Sequence, residues 1–299
     1  MRAFLKLRGT LLLTVALVLL AVVPAQGEKL TIMSLEGPFH GTEEEALDLC
    51  PDQNGNFYLL TVESLFFYDA HENRLESIAD NDQRLKKVVT NSGMIAALAE
   101  DRAVYRLEKD HWEFVTRIPD AVDGLGAYKG CLEPAAGRIA LSEEQLFFFY
   151  DDEEGNPFLC AYRWEDGTFA YMGIPFVTNF CAYNGKEHAL VGVIRVGNQD
   201  WMAQYDLTTD ALTALFPVEY PGYIVCYDSF NNRAISGSRS GIILTLESGK
   251  HLLMDGIPGT ADLHVIDKDT IACVQYMETT AQEVALYRYD LSSATAFQY

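Results

Sequence analysis

Tyr205-Asp206-Leu207-Thr208-Thr209 is the stretch that decides the fold, because its pattern returns at Tyr289-Asp290-Leu291-Ser292-Ser293. In both copies an apolar segment ends in a large residue and an acid, and a polar turn follows. The acid can hold that turn by accepting hydrogen bonds from backbone N–H groups two residues further on. The same type of pair occurs six times: Tyr68-Asp69, Leu107-Glu108, Trp164-Glu165, Tyr205-Asp206, Leu246-Glu247 and Tyr289-Asp290.

The spacings between successive pairs are 39, 57, 41, 41 and 43 residues. Apolar segments with a period near two surround the pairs, and clusters of Asp, Asn, Gly and Pro separate them, which is typical of short strands. We place the extra residues of the longest interval around Ser142–Asn156. The pattern predicts an outer strand after each pair: Arg74–Ala79, His111–Ile118, Thr168–Gly173, Ala211–Pro217, His251–Ile257 and Thr295–Tyr299.

Two further strands fit upstream of each pair. Three units illustrate them: Ala46–Cys50 with Phe57–Val62, Asn179–Tyr183 with His188–Val193, and Asp262–Ile266 with Thr270–Tyr276. Four strands in about 42 residues match one propeller blade. Residues 28–299 are therefore predicted to be all-β, a β-propeller of about six four-stranded blades. Lys29–Leu35 predicts one more strand, which can close the last blade or belong to a seventh, composite blade.

Asp52-Gln53-Asn54-Gly55-Asn56-Phe57-Tyr58 resembles the strand-turn-strand signature of NHL-like and related bacterial β-propellers. The stretches at 205–209 and 289–293 resemble the ends of their third strands. This resemblance implies the propeller fold over residues 29–299 and names no substrate. The layout is also similar to the propeller-like region that precedes the transporter-type domain of some exported bacterial solute-binding proteins. The chain departs from WD repeats, since it lacks their Gly-His and Trp-Asp markers.

Residues 1–27 have the pattern of a secretory signal peptide. Three basic residues lie within residues 2–8, Leu11–Val23 is apolar apart from Thr14, and Val23-Pro24-Ala25 supplies a cleavage site. We expect Ala25 or Gly27 to be the last residue removed. The apolar run is shorter than the roughly 20 residues needed to span hydrocarbon, which favours a cleaved signal peptide. An uncleaved anchor is the alternative. The mature protein is expected to be secreted or extracytoplasmic, without stable membrane insertion.

The net charge of -21 argues against two kinds of partner. A polyanion of this size is repelled by phosphate backbones and by anionic lipids. We therefore expect no nucleic-acid binding and no membrane binding through a basic patch.

The six cysteines lie at 50, 131, 160, 181, 226 and 273. An even number in an exported chain suggests disulfides, but Cys50, Cys131, Cys181 and Cys226 take similar places in different units. Such positions are spread around a propeller axis, whereas a disulfide needs Cα atoms within about 7 Å. We therefore favour buried thiols, with one disulfide as the alternative.

Several other residues resemble functional sites, but their patterns favour structural roles. His111 and His251 both open outer strands and are expected to be surface or cross-strand residues. Arg239 occupies the place that a nucleophilic serine would need in 237–241, which predicts a turn. The acidic run 151–156 lacks EF-hand spacing and predicts a solvated loop, with adventitious calcium as the alternative. The tryptophans are expected to pack between blades rather than to stack on sugars: Trp112, Trp164 and Trp201.

No catalytic, metal-binding or cofactor-binding residue is predicted. Propeller ligands usually meet the loops over the central channel, which here carry Asp120, Asp123 and Tyr220. The first hypothesis is a non-catalytic, monomeric binding or interaction module for an extracellular protein, peptide or glycan. One alternative is a carbohydrate- or peptide-acting hydrolase or lyase with two carboxylates at the channel mouth. Further alternatives are part of an ABC-type solute-binding system and a structural ring that spaces partners.

Overall fold

All described secondary structure is β-structure. The computed structural model describes residues 33–34, 46–52, 54–72, 74–120, 122, 133–134, 139–151, 154, 156–219, 224–238, 241–255, 262–276, 282–288 and 295–296. These residues form 26 strands and no helix, so the predicted all-β class is confirmed. Within the same ranges no helix is long and apolar enough to cross a membrane. The predicted signal peptide, residues 1–27, lies outside them.

The strands follow one another closely, as short hairpins do. In chain order they are β1 (Met33–Ser34), β2 (Ala46–Pro51), β3 (Phe57–Thr61), β4 (Ser64–Asp69), β5 (Arg74–Asp80), β6 (Leu85–Asn91), β7 (Met94–Ala99), β8 (Ala103–Glu108), β9 (His111–Arg117), β10 (Glu133–Pro134), β11 (Ala140–Leu141), β12 (Gln145–Asp151), β13 (Pro157–Arg163), β14 (Phe169–Tyr171), β15 (Phe176–Asn184), β16 (Ala189–Val196), β17 (Gln199–Asp206), β18 (Leu212–Val218), β19 (Ile224–Asp228), β20 (Arg233–Ser238), β21 (Gly241–Thr245), β22 (His251–Asp255), β23 (Asp262–Val265), β24 (Thr270–Tyr276), β25 (Gln282–Arg288) and β26 (Thr295–Ala296).

The described strands form six antiparallel sheets, and five of them contain a run of four or five consecutive strands. We call these five blades 1 to 5: β2–β5, β6–β9, β10–β14, β15–β18 and β19–β22. The other sheet, here called the composite sheet, has the order β1-β25-β24-β23 and joins the two ends of the described chain.

This arrangement corrects the predicted blade count. Neither six self-contained blades nor seven blades are seen among the described residues: consecutive strands form five, and the composite sheet takes its outermost strand from β1. The described part of the predicted outer strand Thr295–Tyr299 is β26, which pairs with β22 at the edge of blade 5 instead of joining that sheet. The described part of the predicted strand Lys29–Leu35 therefore closes the last sheet, which was one of the two roles predicted for it, and it occupies the edge that the repeat assigned to the C-terminal strand.

The six sheets are arranged as a ring. Their innermost strands contact one another in the closed order β2, β6, β11, β15, β19, β23 and back to β2. The buried apolar clusters lie between neighbouring sheets: Leu49 with Ile266 joins blade 1 to the composite sheet, and Phe149 with Phe176 joins blade 3 to blade 4. Packing between sheets around a central axis is the β-propeller arrangement.

Two of the large-acid pairs, those that end in Asp69 and Asp206, act as the sequence predicts, while Asp290 lies outside the described residues. Asp69 Oδ1 accepts hydrogen bonds from the N–H groups of His71 and Glu72 at 2.8 and 3.1 Å. Asp206 Oδ1 likewise accepts hydrogen bonds from the N–H groups of Thr208 and Thr209. These bonds lower the pKa of Asp206, and the bond from Thr209 has the largest effect. The side chain thus fixes the start of the hairpin turn locally.

The extra residues of the long interval lie elsewhere than predicted. Ser142–Asn156 contains β12, the regular second strand of blade 3, which pairs with β13 along its whole length. The added length is in the connection from β9, which ends at Arg117, to β11, which begins at Ala140. This connection includes β10. Both β10 and β11 pair with β12, at different positions along it.

Gly192→Ala is expected to destabilise the protein by about 1–3 kcal/mol, the usual cost of overpacking a core. A Cβ at Gly192 would lie 2.7 Å from ring carbons of Phe176, which is 4% exposed and cannot easily move aside. Urea unfolding measures the loss. The same substitution made in a Phe176→Leu background should cost less, since the shorter side chain leaves room. Equal losses in the two backgrounds would contradict this explanation.

Candidate functional site

The centre of the ring is a cavity of about 140 Å³. All six innermost strands contribute to its wall, from Asp48 on β2 and Val88 on β6 round to His264 on β23. It is the place where every sheet meets, and in propellers ligands are commonly held over such a channel. We therefore take it as the candidate site.

Asp48 is the charged centre of the cavity wall. Its side chain is 7% exposed, and its two oxygens are held from blade 2. Oδ1 lies 2.9 Å from Lys87 Nζ, and Oδ2 accepts a hydrogen bond of 2.7 Å from the Val88 N–H. The carboxylate therefore joins two blades and has its charge compensated by Lys87.

Other polar side chains of the wall are bound within their own hairpins. Thr90 Oγ1 donates to the Met94 carbonyl at 2.9 Å, and the Tyr227 hydroxyl donates to Asn232 Oδ1 at 2.8 Å. The Tyr183 hydroxyl lies 2.9 Å from His188 Nδ1. Burial, followed by the charge of Asp228, raises the pKa of Tyr227 to about 12. These hydroxyls stay neutral at physiological pH.

The structure places three cysteines around the cavity, on three different innermost strands: Cys50, Cys181 and Cys226. These three and Cys160 are buried thiols that are not part of a disulfide, which confirms that part of the prediction. Cys131 lies outside the described residues. Cys273 lies on β24, but its side chain is not among those described.

Alkaline pH should weaken the fold through the buried thiols. Burial raises the pKa of Cys160 and of Cys181 from 9.0 to about 12. Each thiol contributes stability that is complete below pH 9, where both states are protonated, and is lost as pH rises toward 12. The free energy of unfolding should therefore fall by about 1.4 kcal/mol per pH unit for each thiol in that window.

Urea unfolding at pH 8 to 11 tests this effect, with Cys181→Ala as the control. The variant should lose about 1.4 kcal/mol per pH unit of the slope. An identical pH slope in the variant would show that Cys181 is not one of the groups responsible.

The histidines and Trp112 are described first among the remaining sequence candidates. His111 is exposed, and His251 is a cross-strand residue, so both fall within the prediction. The His251 side chain is 10% exposed, lies opposite Thr245 on β21, and is 3.0 Å from Thr245 Oγ1 and 3.6 Å from Glu219. Trp112 packs between blades as predicted, and its Nε1 donates to the Asp80 carbonyl of blade 1 at 3.1 Å.

The loop candidates do not converge on the cavity. Asp120 is 92% exposed and pairs with Arg102 at 2.6 Å, while Asp123 and Tyr220 lie outside the described residues. Ser238 on β20 pairs with Gly241 on β21, so the two strands form a hairpin at the predicted turn, while Arg239 lies outside the described residues. The acidic run connects β12 to β13, and three of its residues are outside the description.

Metal binding finds no support within the described ranges, where no group of three His, Cys, Asp or Glu side chains is placed to hold an ion. The sequence interpretation missed Asp48, Lys87 and His264. The available signal was Asp48 itself, because it is the one charge inside the apolar segment Ala46–Cys50.

The ring of sheets and its central cavity define a β-propeller protein. No family model matches the chain, and no curated protein matches it. Among solved structures, a gluconolactonase from Xanthomonas campestris has a TM-score of 0.54 at 13% identity, over 82% of this chain and 86% of that one.

Two further structures have similar folds. TolB from Acinetobacter baumannii has a TM-score of 0.51 at 11% identity, over 83% of this chain and 63% of that one. A chain of a nidogen–laminin complex has a TM-score of 0.51 at 8% identity, over 72% of this chain and 83% of that one. At these identities the likeness is one of fold, so it supports the propeller and leaves the activity to the site itself.

Proposed function

We propose that this protein is an exported, non-catalytic binding module, a monomer that holds its ligand at the central channel. The supporting observation is the state of Asp48. Asp48 is the single carboxylate among the described residues of the cavity wall. Lys87 and the Val88 N–H already hold both of its oxygens.

The competing proposal of glycoside hydrolysis needs a different site. Its chemistry uses two carboxyl groups roughly 5–10 Å apart, one of them with a raised pKa. A carboxylate that is paired with an ammonium and bound by a backbone N–H is stabilised in its ionised form instead. This favours holding a ligand over acid–base catalysis on it.

Binding and turnover can be separated in one set of assays. The purified full-length protein would be screened against glycans, peptides and small solutes by thermal shift, and the same compounds plus lactones would be assayed for hydrolysis. We expect at least one ligand to raise the melting temperature with no product formed. Hydrolysis that is lost in Asp48→Asn would overturn the proposal.

Export is tested independently of binding. Expression of the full chain in a bacterium, followed by mass spectrometry of the released protein, should show a new N-terminus after Ala25 or Gly27. A protein that retains residues 1–27 in the membrane fraction would favour the uncleaved anchor.

A further inference from the structure

The size of the central cavity limits what it can hold. At about 140 Å³ it is close to the engineered cavity of about 150 Å³ that accepts benzene. A glycan chain or a folded peptide segment exceeds this volume several times over. The cavity therefore suits a solute of about one six-membered ring.

The wall of the cavity is apolar over much of its surface. Leu49, Val89, Leu141 and Phe180 contribute from innermost strands, and Ile139 contributes from the position just before β11. Small-molecule sites usually combine such walls with a few fixed polar groups. A ring-shaped solute that fills this space contacts several blades at once.

The polar groups of the wall restrict the charge of the solute. Asp48 and Lys87 neutralise one another at 2.9 Å, and Thr90, Tyr183 and Tyr227 have partners in their own hairpins. His264, which also lines the wall, has a partner as well. A charged solute would lose its hydration shell without meeting an uncompensated opposite charge here, and that transfer is costly. An uncharged solute avoids most of this loss.

We propose that the cavity binds a compact, uncharged solute of about one six-membered ring. This inference rests on the proposed function, since it names the class of ligand for the same channel. It concerns the described cavity itself and not the loops above it.

The native cysteines report occupancy without any substitution. Cys181 lines the cavity, whereas Cys160 is buried in the blade core away from it. Burial raises the pKa of both thiols to about 12, so the two have similar intrinsic reactivity. Labelling by methyl methanethiolsulfonate, read for each cysteine by peptide mass spectrometry, should be faster at Cys181, because the reagent can enter the cavity.

Three ligands of nearly equal size test the charge requirement: benzyl alcohol, benzylamine and benzoate. At about ten times its dissociation constant, benzyl alcohol should slow the labelling of Cys181 roughly tenfold by mass action and leave Cys160 unchanged. Cys50 and Cys226 should be protected in parallel. Benzylamine and benzoate at the same concentration should protect less than about twofold, and maltose should not protect at all.

Three results would overturn the inference: equal labelling of Cys181 and Cys160 in the free protein, no protection by benzyl alcohol, or protection by a charged analogue as strong as that by benzyl alcohol. None of these would remove the proposed function if the screen finds a ligand that binds at the mouth of the channel, outside the cavity. Conversely, turnover in the hydrolysis assays would overturn the proposed function while leaving the protection pattern intact.

Discussion

Replacing Arg233 with methionine should lower the free energy of unfolding by about 3–5 kcal/mol, the range for breaking a buried ion pair. The side chains of Arg233 and Asp228 are 4% and 0% exposed, and Arg233 Nε lies 2.7 Å from Asp228 Oδ2. The substitution keeps an apolar stem of similar length but leaves the buried carboxylate without its opposite charge.

The effect should extend beyond one hairpin. Asp228 Oδ2 also accepts a hydrogen bond from Asn231 Nδ2 at 2.9 Å, and that amide donates to the Lys268 carbonyl at 3.0 Å. Lys268 lies in the turn between β23 and β24, so the pair is connected to the composite sheet. We expect the junction of blade 5 and the composite sheet to lose hydrogen-exchange protection before the other junctions do.

The chain contains a matched control for this prediction. Arg195 and Asp200 also form a cross-strand pair five residues apart, at 2.8 Å, but the Arg195 side chain is 60% exposed. Arg195→Met should cost no more than about 1 kcal/mol, as exposed pairs do. If the two substitutions cost the same in urea unfolding, burial of the Asp228–Arg233 pair does not matter.

The hairpins could be predicted from sequence because their signals are local. Asp206 and the residues just after it determine their own turn through two hydrogen bonds, and alternation of apolar residues identifies the strands on either side. Thr270–Tyr276 was predicted with its observed bounds. Such features need no knowledge of the rest of the chain.

Pairing between distant segments could not be predicted in the same way. The stretch at 295–296 has the pattern of an outer strand, and it forms one, but β1 occupies the edge that it was expected to take. The segment that pairs at that edge is determined by contacts between residues more than 250 positions apart in sequence, such as the pairing of Met33 with Leu286. The repeat pattern contains no information on that competition.

The cavity wall could be predicted only in part. Equivalent positions in the repeat indicated that several cysteines lie around the axis, and three of them do. The bond from Val88 N–H to Asp48 joins residues of two units, so neither unit alone indicates it. A charged residue inside an otherwise apolar innermost strand is the local sign of such a bond.

Asp48→Ala should therefore cost about 2–4 kcal/mol, because it removes two charge-assisted hydrogen bonds and leaves a buried N–H without this acceptor. Asp48 is 5% exposed and Val88 is 4% exposed, so water does not readily replace the lost carboxylate. The measurement is urea unfolding together with amide hydrogen exchange. Exchange at Val88 should accelerate more than exchange at Leu244 in blade 5, which has no contact with Asp48.

Lys87→Met separates the two roles of this carboxylate. It removes the ion pair but retains the bond from the Val88 N–H, and the Lys87 side chain is 28% exposed, so the expected loss is about 1 kcal/mol. The larger effect of Asp48→Ala would then come from the backbone bond between blades 1 and 2. If Lys87→Met costs as much as Asp48→Ala and Val88 exchange is unchanged in both, the carboxylate acts through its charge and does not join the blades.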